Sequence, residues 1–200
     1  MLIQMLSEDP IRYLRIVAIV IISVTLHELA HGFAALSQGD DTPRKTGHMT
    51  LNPIVHMGWE SIIFLAIGGI TWGQMPVNPR KFRSAKWGNI LVSAAGPLSN
   101  LALGILSIVL LIIATRFDIL SLEFFYLAAQ INLALCLFNL LPIPPLDGFN
   151  VFREFIPQLK VLDDYRVGMF AMMVLFLAPG LSSGLYVVSD LFIRLFIGID

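Results

Sequence analysis

Long apolar runs separated by short polar interruptions set the pattern of this chain, and the first run carries ionisable side chains in its middle. That run, residues 12–38, exceeds the roughly 30 Å hydrocarbon core of a bilayer at about 1.5 Å of rise per residue, which predicts a spanning helix. A polar loop at 39–58 follows, marked by Asp40, Asp41, Pro43, Arg44, Lys45 and Asn52-Pro53 as breakers. Residues 59–72 are apolar again but too few to cross. They run into Gly68-Gly69 and the Pro76/Pro79 stretch, so 59–75 is expected to be a re-entrant or interfacial element. Further spans are expected at 87–115, with a kink at Gly96-Pro97, at 122–141, stopped by Pro142, Pro144 and Pro145, and at 168–182. Residues 183–198, with Asp190 and Arg194 four apart, are expected to lie along the interface. The glycine-rich, β-branched stretch 68–77 suits a small membrane-embedded β-hairpin whose free edge could pair with another extended chain. The expected fold is an all-α polytopic membrane bundle of about four transmembrane spans plus this short element, forming a single domain over 1–200.

Composition agrees with the pattern. Of 200 residues, 56% are hydrophobic and 14% charged, and the mean hydropathy is +0.79, far from an ordinary soluble domain. The lipid bilayer is therefore the first expected partner. A net charge of −1 gives no electrostatic reason to expect nucleic acid. Cys136 has no second cysteine to pair with and reads as a small packing residue. The opening residues carry Glu8 and Asp9 and no basic run, so the first helix, rather than a cleaved leader, is expected to drive insertion.

The ionisable cluster reads His27-Glu28-Leu29-Ala30-His31. Two histidines four apart share one helix face, and a glutamate between them lies close enough to hold a water activated by a metal. Such groups in hydrocarbon cost several kcal/mol unless paired or ligated, which makes the cluster a functional site by default. A second constellation, Asn139-Leu140-Leu141-Pro142-Ile143-Pro144-Pro145-Leu146-Asp147-Gly148, presents an acid on a backbone that proline keeps out of a continuous helix. Asp147 is the natural third ligand, because catalytic zinc usually takes three protein ligands and keeps one position open. Its bland reading is a turn cap. One catalytic Zn2+ is the expected cofactor, held by His27, His31 and Asp147, with Glu28 moving the proton in peptide-bond hydrolysis. The rival class is a non-proteolytic membrane metal-binding or transport component using the same ligands. Glu28 favours the enzyme, since binding a metal does not require it.

The HELAH helix, the segment Ala95-Gly96-Pro97-Leu98-Ser99-Asn100 and the Asn139–Gly148 segment together resemble the site-2 protease family of intramembrane zinc metalloproteases. The resemblance implies zinc on the two histidines and the aspartate, Glu28 as general base, and a transmembrane protein substrate cut within or near the bilayer. It also implies an accessory role for Asn139, in orienting the site or holding the substrate backbone. His56 and Asn100 are further accessory candidates, with hydrogen bonding within a loop or between helices as their bland readings. The segments 48–56 and 76–80 look like the compact prokaryotic branch, which implies a prokaryotic cell membrane. One departure is Gly58, two residues after His56, where an acid is expected in relatives. No stretch outside the apolar segments exceeds 26 residues, below the 50 or more of a soluble domain, so neither a PDZ-like nor a CBS-like domain is expected. Substrate selection would then rest on the membrane core, short loops or a separate adaptor or regulator.

If 59–75 does not cross, the loops at 39–58, 73–86 and 142–167 share one side, and that side holds nine of the thirteen basic residues. The positive-inside rule makes it the cytoplasm and places the active site towards the cytoplasmic half.

Overall fold

Several of the long helices begin where a capping side chain meets an unsatisfied amide. After the short α1 (Met5–Glu8), Asp9 accepts from Arg12 N at 3.0 Å, and Pro10 opens the 28-residue α2 (Pro10–Ser37); the proline lacks a donor at a position where none is needed. The single turn α3 (Thr42–Lys45) leads to α4 (Pro53–Gly68), where Asn52 accepts from Ile54 N at 3.0 Å and a proline again stands first. Then come α5 (Ala85–Phe117), α6 (Leu122–Asn139), α7 (Asp147–Phe152), α8 (Tyr165–Leu177) and α9 (Leu181–Ile197). The computed structural model describes residues 1–117, 121–162, 164–177 and 180–197. Among these the protein is all helix and coil, with no β-strand.

Three helices, α2, α5 and α6, are long and apolar enough to cross a membrane. The protein is an integral membrane helix bundle. His27 and His31 of α2 meet Asn100 and Val92 of α5 in reverse order, so these two helices run antiparallel. Helix α6 returns beside α5 and therefore runs with α2. It forms the centre of the bundle. One face, Leu127, Ala128 and Ile131, packs with Ile19, Val20 and Val24 of α2 and Met57 and Leu65 of α4. Its other face, Ala129 and Leu133, packs with Ile108 and Leu111 of α5 and Ile193 of α9. Large apolar side chains point outward from α5 instead, among them Leu91, Leu98, Ile105 and Val109, as a lipid-facing surface requires.

The segment expected to be re-entrant goes in as a helix and comes back as extended chain. Tyr13 near the start of α2 donates to Ala66 O at 3.0 Å, so the far end of α4 reaches the α2 N-terminus. Asn78 N then donates to Asp40 Oδ2 at 2.6 Å, just past the α2 C-terminus. Helix α4 is kinked at Gly58, which sits at φ +71°, a conformation that side chains rarely tolerate. The missing acid at this position thus has a backbone reason. The expected β-hairpin does not form: residues 70–78 are coil, and α4 takes the place of a first strand. Side chains and the α4 backbone, rather than a partner strand, take up the amides of Trp72, Gln74 and Asn78.

The stretch expected to span at 168–182 is the 13-residue α8, about 20 Å long at 1.5 Å per residue, and residues 178–179 lie outside the described ones. Helix α9, expected along the interface as 183–198, packs on α6 with Ile193 fully buried; residue 198 lies outside the described residues. Asp190 accepts from Tyr126 and from Arg194 Nε, the latter at 2.7 Å, which ties α9 to the start of α6.

Candidate metal centre

One turn of α2 carries His27 and His31, 7% and 8% exposed. Asp147 reaches them because α6 ends at Asn139 and the chain doubles back tightly. A Cβ on Gly148 would lie 2.3 Å from Leu140 O, so only glycine permits α7 to start so close to the end of α6. Asp147 Oδ2 then stands 3.0 Å from His27 Nε2 and 3.3 Å from His31 Nε2, and the two Nε2 atoms are 3.0 Å apart.

The tautomers decide what this trio binds. His31 Nδ1 lies 2.6 Å from Val92 O, and a carbonyl only accepts, so Nδ1 carries the proton. His27 Nδ1 lies 2.6 Å from Asn100 Oδ1, with the same result. Both Nε2 lone pairs therefore face each other and a carboxylate, an arrangement that repels itself without a cation between them. Tetrahedral zinc at 2.0–2.1 Å holds its ligand atoms roughly 3.3 Å apart, close to the separations found. Space is provided as well, since a Cβ on Gly96 would sit 2.4 Å from Nε2 of both histidines. His27, His31 and Asp147 are the described residues that come together as a metal-binding group, and they fit zinc.

Glu28, 7% exposed, borders the same cleft of about 440 Å³. The extended segment 71–77 forms its opposite wall. Gly73 presses on the acid: a Cβ there would lie 2.5 Å from Glu28 Oε1. Three anchors hold the wall. Ser61 Oγ accepts from Trp72 N at 2.9 Å, His56 O accepts from Gln74 N at 2.9 Å, and Asp40 accepts from Asn78 N.

The accessory candidates divide. Asn139 lines the cleft, with Nδ2 donating to Leu135 O at 3.0 Å. Asn100 lines it too and contacts His27 directly. His56 stands behind the segment 71–77, outside the cleft lining, donating from Nε2 to Thr50 O at 2.7 Å. Sequence reasoning missed Val92, whose contribution is a main-chain carbonyl and leaves no trace in residue type. It also missed Gly73, and it took Gly96 only as part of a helix kink. Asn132 was legible in principle, being a polar side chain inside an apolar span.

Comparison with known proteins bears directly on this constellation. The model of peptidase family M50 matches residues 15–121 and 114–179. The chain belongs to that family. It is 38% identical over 176 residues to YwhC of Bacillus subtilis (strain 168), by its name a candidate zinc metalloprotease, covering 82% of this chain and 80% of that protein. Rip2 of Mycobacterium tuberculosis (strain ATCC 25618 / H37Rv), named in the same way, is 32% identical over 192 residues, covering 87% and 72%. The protein named Zinc metalloprotease MJ0392 from Methanocaldococcus jannaschii is 31% identical over 139 residues, covering 68% of this chain and 33% of its own length. No solved structure matches the chain significantly. This M50 protein is a zinc metalloendopeptidase, a member of the site-2 protease family, and His27, His31 and Asp147 are a group that could hold the metal.

Proposed function

We propose that this M50 protein is an intramembrane endopeptidase that hydrolyses peptide bonds in or near the transmembrane segment of a membrane-anchored protein. One observation carries the reading: Glu28, buried in a span, faces a cleft shared with all three ligand side chains and needs a task to justify its burial. His27, His31 and Asp147 hold the ion. Zinc, when bound, supplies Lewis acidity at the scissile carbonyl and makes the attacking water more acidic. Glu28 accepts the proton of that water and passes it to the leaving amine. Asn139, at the cleft margin, offers an amide to the substrate backbone.

The wall of the cleft supports a way of holding the substrate. The amides of Trp72, Gln74 and Asn78 are anchored to the protein body, while those of Gly73, Met75 and Val77 have no acceptor among the described residues. Alternate amides of an extended chain point to opposite edges, so the unanchored set forms a free edge beside Glu28. An unwound substrate adds to this edge as a strand, which removes its scissile bond from its own helical ladder. The positive-inside rule, applied to the basic loops, supports a site towards the cytoplasmic half of a prokaryotic cell membrane. Selection rests on the membrane core, the short loops or a separate adaptor.

Glu28→Gln tests the reading. The variant is expected to keep zinc at wild-type stoichiometry and lose cleavage of a reconstituted transmembrane substrate by about 10²-fold or more. Cleavage at the wild-type rate rejects the assignment.

A further inference from the structure

Behind His27 runs a chain of hydrogen bonds whose polarity follows from one fixed point. The Ala128 carbonyl can only accept, so the Asn132 atom 2.9 Å from it is Nδ2. Asn132 therefore turns Oδ1 towards Asn100, where it accepts from Nδ2 at 3.1 Å. The same Asn100 Nδ2 points at Ser23 O, 3.5 Å away, which agrees with this orientation. Asn100 Oδ1 is left facing His27 Nδ1 at 2.6 Å, and it accepts that proton. Every step is buried: Asn132 is 3% exposed and Asn100 1%. With both amides buried, their protein partners fix the order of donors.

We infer that Asn132 is a positioning residue for the metal centre, fixing the His27 tautomer through Asn100 from one helix further away. It touches neither the ion's ligand atoms nor the cleft. Its work is to choose between the two orientations of the Asn100 amide. With Oδ1 towards His27, the imidazole is protonated on Nδ1 and offers its Nε2 lone pair to the ion. With Nδ2 towards His27, that nitrogen would have to accept, the proton would move to Nε2, and ligation would fail. Groups that fix the far nitrogen of a ligating histidine commonly contribute 10- to 100-fold in metal affinity. The arrangement also explains why the buried, otherwise apolar packing surface of α6 carries an amide at position 132. A mere link between α5 and α6 would serve equally well in either orientation.

The inference rests on His27 being a zinc ligand, and the experiment separates the two claims. Zinc affinity is measured by chelator competition on the full-length protein in nanodiscs, and the visible absorption of the Co2+-substituted protein reports ligand geometry. Wild type is expected to bind tightly and His27→Ala to lose binding; equal affinity in these two overturns the ligand reading itself. Asn132→Leu, similar in volume but without an acceptor, is expected to bind zinc 10- to 100-fold more weakly, with an altered cobalt spectrum. Asn132→Asp, neutral at this depth, donates to Ala128 O and accepts from Asn100 as the amide does. It is expected to restore both readouts to within a few-fold. Unchanged affinity and spectrum in Asn132→Leu, or equal losses in the Leu and Asp variants, overturn the positioning role. Should Asn132→Leu not fold, Asn132→Ser, too short to reach Asn100, is held to the same outcomes.

Discussion

Gly96 of α5 stands so close to His27 that a Cβ on it would lie 2.4 Å from the imidazole Nε2, and no further from Nε2 of His31. The space in front of both ligand atoms therefore exists only because position 96 has no side chain. Gly96→Ala is expected to abolish stoichiometric zinc while leaving helicity intact, because alanine favours a helix interior by about 1 kcal/mol over glycine. Metal analysis alongside far-ultraviolet circular dichroism checks it. One zinc per chain in the folded variant would refute the placement of the ion.

Gly148 controls the position of Asp147, the third proposed ligand. Its Cβ would meet Leu140 O at 2.3 Å, a main-chain atom at the end of α6 that has little freedom to yield. Gly148→Ala leaves all three ligand side chains in place chemically yet lifts the start of α7 away from α6. Asp147 withdraws from the histidines with it. Zinc affinity is expected to fall by at least about tenfold, as for lost support of a ligand, and chelator competition measures it. Wild-type affinity would refute the control of Asp147 by this turn.

Asp40 carries the pH dependence of the cleft wall. The carboxylate is fully buried and accepts from Thr42 N at 3.0 Å, from Thr42 Oγ1 and from Asn78 N, with Lys81 Nζ at 3.7 Å. Burial pushes its pKa up, but the hydrogen bonds from Thr42 and Asn78 and the charge of Lys81 outweigh that and hold it below the ordinary carboxylate range. A folded value below the unfolded one means stabilisation present above about pH 4 and lost as pH falls through the lower folded value. Asp40→Ala removes it at every pH. Hydrogen bonds to a charged acceptor are worth about 1.5–3 kcal/mol, so amide exchange over residues 72–78 is expected to rise about 10- to 100-fold at neutral pH. Unchanged exchange would mean that other contacts hold the wall.

What the sequence revealed and what it hid differ in physical kind. The convergence of His27, Glu28, His31 and Asp147 on one cleft was legible because metal chemistry demands particular side chains, and because charge inside hydrocarbon needs a reason. The spans of α2, α5 and α6 were legible as apolar length. Residues 68–77 were not: their β-branched and glycine-rich composition fits a hairpin, yet Ser61 Oγ, His56 O and Asp40 take up the amides a partner strand would have taken. Val92 acts through its carbonyl, and Gly73 and Gly96 through an absent side chain. Such contributions depend on three-dimensional proximity and leave little or no signature in residue type.

The free edge at Met75 and Val77 gives the sharpest test of substrate pairing. Gly73 is unsuited to it, since any side chain there collides with Glu28 and would confuse binding with catalysis. Proline at 75 or 77 removes one unanchored amide and spares the anchored ones at 72, 74 and 78. Each lost hydrogen bond to substrate costs about 0.5–1.5 kcal/mol, so each variant is expected to cleave about threefold to tenfold more slowly. The double variant should approach the product of the two. Zinc content should stay at the wild-type level, because neither residue supports a ligand. Met75→Leu and Val77→Thr, which keep the amide, serve as controls for side-chain loss and should cleave nearly as fast as wild type. If the proline variants match their controls, the substrate takes no strand-like hydrogen bonds from this edge, and the wall merely shapes the cleft.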